Sequence, residues 1–140
     1  MRIDVALDSD YEFIINRDRH ITQHLVKAKI KEEEIYILRE SDQEIGWMRF
    51  NYFWDNTPFM NMIWIDEEYR GMGFGKQVVL SWEELMRQKG FRVVMTSTQS
   101  NEGSQHFYRK LGYKDIGCLL QENDPLEVIL SKELNGLIKI

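Results

Sequence analysis

Three glycines at alternate positions, Gly71, Gly73 and Gly75, limit what this chain can fold into more than any other feature of its sequence. The residues before them, 59–65, are almost all apolar, which is typical of a strand that is buried on both faces. The residues after them repeat apolar side chains at helical spacing and predict an amphipathic helix over 73–89. The sequence therefore predicts a central strand, a glycine-rich turn and a helix in direct succession.

The glycine-rich turn has the properties of a phosphate-binding site. Glycines without a Cβ atom adopt unusual φ values and let a ligand approach their N–H groups closely. The first N–H groups of the following helix have no partner within the helix, and they lie at its positive end. These properties predict that the turn binds a phosphate or pyrophosphate through its backbone. The alternative is a glycine-rich connection that binds no ligand.

Two common nucleotide-binding motifs do not fit this turn. The dinucleotide fingerprint G-x-G-x-x-G requires glycine where the chain has Lys76, or glycine or alanine where it has Val78. The P-loop pattern G-x-x-x-x-G-K-[ST] requires glycine at the position of Arg70 and serine or threonine at that of Gln77. The turn therefore predicts a phosphate ligand of another kind.

The pattern that remains is Arg-x-x-Gly-x-Gly at 70–75, and it resembles the acetyl-CoA pyrophosphate loop of the GNAT superfamily of N-acetyltransferases. About 30 residues downstream, residues 101–113 resemble the next motif of that superfamily, Asn-x-x-small-x-x-Phe-Tyr-x-x-x-Gly-aromatic. Two motifs in the right order and spacing are far more specific than either alone. The strong resemblance covers 63–113, and a weaker one extends from about 35 to 131.

The resemblance implies the GNAT fold, which belongs to the α/β (α+β) class. This fold has a mixed central β-sheet of about six to seven strands, with an antiparallel meander, a splayed parallel pair and about four flanking helices. The length predicts a single domain over 1–140. Strands 59–65 and 91–97 are expected to be parallel, because a helix connects them. The other predicted strands are 1–7, 35–40, 45–54, 113–119 and 126–131.

Two helices are expected between the first and second strands. Ser9 and Glu12 match the capping-box pattern, so the first helix should begin at Ser9. Asp18 is a candidate cap for the second helix. A short helix is also expected over 104–111, within the second motif. The apolar face of the second helix is predicted to consist of Ile21, Leu25 and Ala28.

The resemblance also implies a set of cofactor-binding residues, with acetyl-CoA as the acyl donor and no metal. Backbone groups of Ile63 and Ile65 would pair with the pantetheine arm, and the N–H of Ile65 or a close neighbour would polarise the thioester carbonyl. Asn101 would contact the cofactor from the opposite side. The pyrophosphate would be held by the backbone N–H groups of Arg70, Gly71, Met72, Gly73, Phe74, Gly75 and Lys76.

A direct attack of an amine on the thioester is the reaction that the resemblance implies. The leaving thiolate benefits from a proton donor, since a thiol has a pKa of about 8.5. Tyr108 aligns with the superfamily tyrosine that plays this role, so it is expected to be the catalytic acid and to contact the cofactor. The alternative is that Tyr108 only packs its helix, as Phe107 beside it is expected to do.

The general base is not evident from the sequence. Many superfamily members carry a glutamate on the central strand, about four residues before the position of Ile65, and this chain has Asn61 there. Asparagine accepts no proton at neutral pH. A water chain, a base elsewhere and the small neutral fraction of the amine remain as alternatives. No role is assigned to the nearby carboxylates Asp55, Glu67 and Glu68.

The expected acceptor is a primary amine of a small molecule or peptide, which the sequence does not identify further. The alternative to a transferase is a catalytically silent acyl-CoA-binding sensor or interaction module, which the missing glutamate slightly favours. Superfamily members are often dimers, and the resemblance extends this expectation of a homodimer to the chain. One aromatic cluster is either core packing or a wall for an organic cation, and it comprises Phe50, Tyr52, Phe53, Trp54 and Phe59.

Composition limits the other classes of function. The net charge of −5 argues against a nucleic-acid-binding protein. There is no signal peptide and no long apolar run, so a cytoplasmic protein without membrane partners is expected. Cys118 is the only cysteine, which fits a reducing compartment, and it is expected to be a small buried hydrophobe. His20 and His24 lie four residues apart but lack a third ligand, so no metal site is predicted.

Overall fold

The computed structural model describes residues 1–134, which form seven strands and four α-helices. The strand order is β1-β2-β3-β4-β5-β7-β6, in a mostly antiparallel sheet in which β4 and β5 are parallel. The predicted fold class is confirmed. The strands are β1 (Arg2–Val5), β2 (Ile35–Glu40), β3 (Gln43–Phe53), β4 (Thr57–Ile65), β5 (Val93–Gln99), β6 (Lys114–Leu119) and β7 (Glu127–Glu133). The helices are α1 (Tyr11–Arg17), α2 (Gln23–Lys31), α3 (Phe74–Gln88) and α4 (Ser104–Lys110).

The chain divides into two compact units. The first unit comprises Met1–Phe50 and Met62–Val78, and the second comprises Asn51–Asn61 and the described residues from Val79 onward. Strands β3 and β4 and helix α3 each contribute residues to both units. The single domain predicted over 1–140 stays a prediction, and its residues 135–140 lie outside the described part of the chain.

The first unit is built on the antiparallel strands β1, β2 and β3. Val5 lies opposite Tyr36 in the pairing of β1 with β2, and Ile35 lies opposite Arg49 in that of β2 with β3. Burial of apolar surface against these strands holds α1 and α2 in place. The buried cluster of this unit consists of Ala6, Ile14, Val26, Ile30, Ile35, Ile37 and Trp47.

A buried ion pair joins α1 to the strands of the first unit. Asp18 accepts hydrogen bonds from Arg49 Nε at 2.7 Å and from Trp47 Nε1 at 3.0 Å. Burial alone raises the pKa of Asp18, but the hydrogen bonds from Arg49 and from the N–H of His20 outweigh it, and the pKa lies below its usual value. The expectation that Asp18 caps the second helix is therefore wrong, because a buried guanidinium occupies its carboxylate and α2 begins at Gln23.

The first helix also begins later than expected. A 3-10 turn over Asp8–Asp10 comes first, in which the Asp10 carboxylate accepts a hydrogen bond from the N–H of Leu7 at 2.9 Å. Helix α1 then starts at Tyr11. The predicted start at Ser9 is wrong, because the carboxylate of Asp10 organises this turn.

The apolar face predicted for the second helix is wrong as well. The buried residues of α2 are Val26 and Ile30, which are spaced four apart, and Leu25 and Ala28 are exposed. Both sets have helical spacing, so the pattern alone does not distinguish them. The difference is a rotation of the helix that only its packing partners decide.

The second unit contains the antiparallel strands β5, β7 and β6, together with α4. Strand β4 pairs with β5 in parallel, with Phe59 opposite Met95 and Met60 opposite Thr96. The predicted parallel pair is confirmed. Beyond these residue pairs, β4 runs on to Ile65 and β5 runs on to Gln99. The buried apolar residues of the second unit include Val79, Trp82, Met86, Val94, Tyr108, Tyr113 and Leu130.

Glu83 on α3 is the centre of a buried polar cluster in the second unit. Its carboxylate accepts hydrogen bonds from Tyr113 Oη at 2.9 Å and from Lys132 Nζ at 2.7 Å. Burial and the neighbouring Glu83 carboxylate raise the pKa of Tyr113 far above its ordinary value. The cluster connects α3 to Tyr113, which lies shortly after α4, and to Lys132 on β7. The charge of the buried Glu83 carboxylate is paired with Lys132.

Helix α3 confirms the amphipathic helix predicted over 73–89. Gly90 follows its last turn with a φ of 97°, a conformation that favours glycine and ends the helix. With 15 residues, α3 is the longest helix of the described chain. Within residues 1–134, no helix combines the length and the apolar character needed to cross a bilayer.

Strand β6 differs from the other strands in that all six of its residues are exposed. It comes last in the strand order, where its neighbour is β7. Cys118 lies on β6 and is exposed. The expectation of a buried Cys118 is wrong, because an edge strand with two open faces has no core side on which to bury it.

The aromatic cluster predicted around the turn before β4 divides by burial. Phe50 is fully buried, whereas Trp54 is 80% exposed at the tip of the β3–β4 connection. Trp54 and Asp55 adopt φ values of 54° and 62° in this turn. The ring of Phe53 lies 4.7 Å from that of Trp54. Core packing therefore explains the position of Phe50, but it does not explain the exposed Trp54 at the tip of the connection.

Candidate functional site

The glycine-rich turn is an open loop between β4 and α3. A 3-10 turn over Glu67–Tyr69 precedes it, and its residues 70–73 are all exposed. Gly71 and Gly73 adopt φ values of 78° and 83°, with open space where a Cβ would lie. The glycines are thus required for their backbone conformation and not for lack of room. Gly75 belongs to the first turn of α3, so the expectation of an unusual φ holds for two of the three glycines.

The start of α3 offers backbone donors to an anion. The carbonyl of Gly73 accepts a hydrogen bond from the N–H of Gln77 at 3.1 Å, which closes the first helical turn. The N–H groups at the start of a helix have no acceptor within it, and Gly73 has no side chain with which to cap them. Phe74, Gly75 and Lys76 therefore present their N–H groups at the positive end of α3.

The end of β4 lies next to this loop in the first unit. Ile63 and Ile65 are half-buried on the strand, and the carbonyl of Ile65 accepts a hydrogen bond from Arg70 Nε at 2.7 Å. The N–H of Asp66 donates to the carbonyl of Ile45 at 2.7 Å. The loop and the strand end are therefore joined directly through the side chain of Arg70.

Trp64 is a further residue of this region, and no pattern in the sequence selects it. The Arg70 guanidinium carbon lies 4.6 Å from the centre of the Trp64 ring, and the ring of Trp47 stacks on Trp64 at 6.1 Å. A Cβ atom on Gly46 would lie 2.0 Å from the carbonyl oxygen of Trp64, so the two backbones approach closely there. No sequence motif links Trp64 to Arg70, because their contact depends on how the loop folds back.

Tyr108 carries a buried hydroxyl in the second unit. It is 4% exposed on α4, and its Oη donates a weak hydrogen bond to Met60 Sδ at 3.8 Å. Thr96 Oγ1 donates to the carbonyl of Met60 at 3.0 Å, which places a second hydroxyl at this point of the β4–β5 pair. The rings of Phe107 and Tyr113 contact Tyr108 edge-on at 5.1 and 5.4 Å. The hydroxyl thus projects from an aromatic packing site toward the parallel strand pair.

The protonation of Tyr108 follows from its surroundings. Burial raises its pKa to about 12, a hydrogen bond with Thr96 opposes this shift, and the Glu102 carboxylate adds to it. The hydroxyl therefore keeps its proton throughout the neutral range. Because a thioether sulfur is a weak acceptor, Met60 leaves this proton available for a stronger one. Tyr108 has the properties of a proton donor in a site with little water.

Asn101 lies in the exposed turn between β5 and α4. This turn is fixed by Gln105, whose Nε2 donates to the carbonyls of Ser100 at 2.7 Å and Glu102 at 2.8 Å. The Glu102 carboxylate accepts from the N–H of Gln99 at 3.1 Å. Among the described residues, the Asn101 side chain has no hydrogen-bond partner, so its amide is available to a ligand.

The position at which many relatives carry a glutamate is polar but uncharged here. Asn61 is exposed, and its Nδ2 donates to Asn51 Oδ1 at 2.8 Å. Asp55, Glu67 and Glu68 are exposed and belong to turns. The described residues thus place an amide pair, rather than a carboxylate, at this position of β4.

The histidine pair has ordinary surface surroundings. His20 and His24 are exposed, and His24 Nδ1 lies 3.3 Å from Thr22 Oγ1. In residues 1–134, no group of three or more His, Cys, Asp or Glu side chains has an arrangement that could hold a metal ion. The described structure therefore offers no support for a metal at these histidines.

The residues selected from the sequence fall into two sets. Residues 63–76, which include both isoleucines and the complete loop, belong to the first unit. Asn101 and Tyr108 belong to the second unit, where Tyr108 contacts Met60 on the first half of β4. Each set forms a coherent local arrangement.

Comparison with protein families gives one match over most of the chain. Residues 4–113 match the model of the acetyltransferase (GNAT) family. A curated relative, the uncharacterized protein YyaT of Bacillus subtilis (strain 168), is 31% identical over 80 residues, which are 57% of this chain. The match spans about half of that relative, 53% of its length.

Solved structures share the fold at low sequence identity. Ard1 from Thermoplasma volcanium superposes with a TM-score of 0.79 at 15% identity, over 94% of this chain and 96% of the other. A GNAT family acetyltransferase from Elizabethkingia anophelis, crystallised with acetyl-CoA bound, gives a TM-score of 0.75 at 18% identity, over 94% and 97% of the two chains. At these identities the likeness concerns the fold.

Proposed function

This chain belongs to the acetyltransferase (GNAT) family, and we propose that it transfers the acetyl group of acetyl-CoA directly to a primary amine of a small molecule or peptide. The observation that carries the proposal is the hydroxyl of Tyr108, which is buried and protonated and donates its proton to a weak acceptor, the sulfur of Met60. Such a group suits the leaving thiolate of a thioester, which needs a proton.

Acetyl-CoA would be held mainly by backbone groups. The loop and the first turn of α3 would present N–H groups to its pyrophosphate, and the backbone of Ile63 and Ile65 near the end of β4 would pair with its pantetheine arm. The amide of Asn101 has no competing partner among the described residues and would contact the cofactor. The acetyl-CoA bound to the Elizabethkingia anophelis relative supports this choice of donor.

The reaction would proceed in one displacement. The nitrogen lone pair of the neutral amine attacks the thioester carbonyl carbon, a C–N bond forms, and the C–S bond breaks with its electron pair on sulfur. Tyr108 gives its proton to that sulfur, so the product is coenzyme A as a thiol. The nitrogen then loses a proton, and a proton from solvent restores the Tyr108 hydroxyl. One positioned acid is typically worth about 10²–10⁴-fold in rate.

The removal of the proton from the attacking amine has a testable consequence. Asn61 is not a base, and no carboxylate replaces it at that position of β4. An alkyl amine with a pKa near 10 is neutral in only about one molecule in 10³ at pH 7. If the amine reacts from this fraction, kcat/KM should rise about tenfold per pH unit until the pH reaches the pKa of the acceptor.

A silent acyl-CoA-binding module is the second candidate, and Asn61 is the observation that favours it. Such a module would bind acetyl-CoA through the same loop and would release no coenzyme A with any amine. Binding and turnover therefore separate the two functions, and each must be measured on the same preparation.

The test is the release of coenzyme A from acetyl-CoA in the presence of polyamines, aminoglycosides, amino acids and peptide N-termini. Wild type is compared with Tyr108→Phe and with Tyr11→Phe, a control that removes a hydroxyl bound to Gln23 on the α1–α2 surface. Release that depends on an amine and falls only in Tyr108→Phe supports the transferase. Tight acetyl-CoA binding without release over the whole panel supports the silent module.

A further inference from the structure

Trp64 lies in a stack of aromatic and cationic side chains in the first unit. The ring of Phe13 contacts Trp47 edge-on at 6.2 Å, and Trp47 stacks on Trp64 at 6.1 Å with an angle of 26° between the rings. The Arg70 guanidinium covers Trp64 at 4.6 Å. Trp47 is 3% exposed and Trp64 is 44% exposed, so the stack runs from the core to the surface and ends on a positive charge.

The Trp64 ring is held in place by its own neighbours. Its Nε1 donates a hydrogen bond to Asp66 Oδ1 at 3.3 Å, and the N–H of Asp66 is bound to the carbonyl of Ile45 at 2.7 Å. The backbone of Trp64 approaches Gly46 so closely that no Cβ fits between them. The ring that carries Arg70 is therefore fixed before any ligand binds.

Arg70 is oriented by two contacts and has donors to spare. Its Nε donates to the carbonyl of Ile65 at 2.7 Å, and its guanidinium carbon lies over the Trp64 ring at 4.6 Å from the ring centre. Nη1 and Nη2 have no hydrogen-bond partner among the described residues, and no carboxylate of that part of the chain lies within ion-pair distance of Arg70. By contrast, Arg17 of the same unit is paired with Asp66 at 3.3 Å.

An oriented guanidinium with two unused nitrogens is suited to a phosphate group. A guanidinium binds phosphate through two parallel N–H donors, and its affinity is greater when its plane is set in advance. A π-face attracts the guanidinium without occupying its N–H groups, which a carboxylate partner would do. The Trp64 ring therefore orients Arg70 and leaves its donors for the ligand.

We propose that Trp64 is a positioning residue that holds the Arg70 side chain ready to bind a phosphate group of acetyl-CoA. This inference rests on the proposed function, because it assumes that acetyl-CoA is the ligand of the loop. It adds a side-chain contact and its support to a site described so far by backbone N–H groups. Trp64 acts through Arg70 and has no role in the acetyl transfer itself.

The experiment compares acetyl-CoA with acetyl-pantetheine, which lacks its phosphates and its adenosine. Acetyl-CoA carries a pyrophosphate and a 3′-phosphate, and acetyl-pantetheine carries neither. The Kd of acetyl-CoA is measured by calorimetry, and that of acetyl-pantetheine by its competition with acetyl-CoA. The variants are Trp64→Leu, Trp64→Phe, Arg70→Ala, Arg70→Lys and the double variant Trp64→Leu with Arg70→Ala. Arg2→Ala is the control, because Arg2 is an exposed arginine of β1 that is paired with Asp4 and Asp42.

Trp64→Leu is expected to raise the Kd of acetyl-CoA about tenfold and to leave that of acetyl-pantetheine within twofold of wild type. Trp64→Phe keeps a π-face and should lose less than threefold, whereas Arg70→Lys keeps the charge but not the planar fork and should resemble Arg70→Ala. The double variant should bind acetyl-CoA no more weakly than Arg70→Ala alone, because Trp64 acts only through that arginine.

Two results would overturn the inference. One is an equal loss of affinity for both donors in Trp64→Leu, which would make Trp64 a general structural residue. The other is additive losses in the double variant. Wild type that binds acetyl-CoA but transfers no acetyl group would contradict the proposed transferase while leaving all of these Kd values measurable. Wild type without affinity for acetyl-CoA would overturn both proposals.

Discussion

The loop at 70–76 and the surroundings of Tyr108 differ in burial and in the groups that they offer a ligand. The loop is exposed, and most of what it offers a ligand is backbone N–H groups held by glycine conformations. Tyr108 is buried among aromatic rings and offers one hydroxyl with a weak partner. Apart from Arg70, substitutions that preserve the backbone should therefore be tolerated in the loop, whereas at Tyr108 the loss of one atom should remove the function.

The two regions also differ in their exposure to water and salt. Charges in the exposed loop are screened by salt, so its affinity for an anion should depend on ionic strength. Tyr108 lies where water is scarce, and burial rather than a neighbouring charge is the main cause of its raised pKa. Binding and chemistry should thus respond separately to mutation, salt and pH, and four predictions test this separation from the largest expected effect to the smallest.

Tyr108→Phe should lower kcat by about 10²–10⁴-fold and leave the Kd of acetyl-CoA within twofold of wild type. The substitution removes the proton donor and keeps the ring that packs against Phe107 and Tyr113. Steady-state kinetics and calorimetry on the same preparation provide the measurement. An unchanged kcat would reduce Tyr108 to a packing residue, and a large loss of affinity would abolish the distinction drawn between the two regions.

Gly46→Ala should lower the free energy of unfolding by about 3 kcal/mol. The added Cβ would lie 2.0 Å from the carbonyl oxygen of Trp64, and both atoms belong to backbone that cannot move aside locally. The end of β4 must shift, so the affinity for acetyl-CoA should also fall. Urea denaturation measures the stability, and wild-type stability in this variant would show that the strands separate there at little cost.

Gly73→Ala should weaken acetyl-CoA binding about tenfold, since a left-handed conformation costs an alanine about 1–2 kcal/mol. Gly103→Ala is the matched control, because both glycines have open space for a Cβ but Gly103 has a φ of −71°. The Kd of each variant is measured by calorimetry. Equal Kd values in the two variants would mean that the positive φ of Gly73 does not matter for binding.

The smallest effect is expected from the ionisation of Tyr108. Its hydroxyl should keep its proton below about pH 11. Its folded pKa of about 12 exceeds the ordinary value of 10.0, so its contribution to stability is present below pH 10 and is lost as the pH rises through about 12. Any decline of kcat between pH 6 and 10 in wild type should therefore also be present in Tyr108→Phe. A decline with a midpoint near pH 8 that depends on Tyr108 would contradict this assignment.

Local patterns predicted the glycine-rich turn and the elements on either side of it, because the sequence signals of these parts are local. The apolar strand, the conformations of Gly71 and Gly73 and the amphipathic helix are all set by neighbours in sequence, and the structure has them where expected. Tyr108 was found through a motif that keeps its spacing. For these parts of the fold, sequence reasoning was sufficient to select the elements, and the roles of the selected site residues stay predictions.

Contacts between separate elements explain what the sequence did not predict. Asp18 was expected to cap a helix, but its partner Arg49 lies 31 residues away. The buried face of α2 depends on which strands it packs against, and two sets of residues fit the same spacing. Trp64 and Arg70 meet because the loop folds back on the strand. In each case the deciding contact joins separate elements, and no local pattern encodes it.

The exposed thiol on β6 has a practical consequence for enzymology with this protein. Cys118 is the only cysteine of the chain and is exposed. A disulfide reagent that reports released coenzyme A will also react with one thiol per protein molecule, which at high enzyme concentration imitates a single turnover without any acceptor. Cys118→Ser removes this background. Unmodified wild type, in turn, carries one defined attachment point for a fluorescent or spin label.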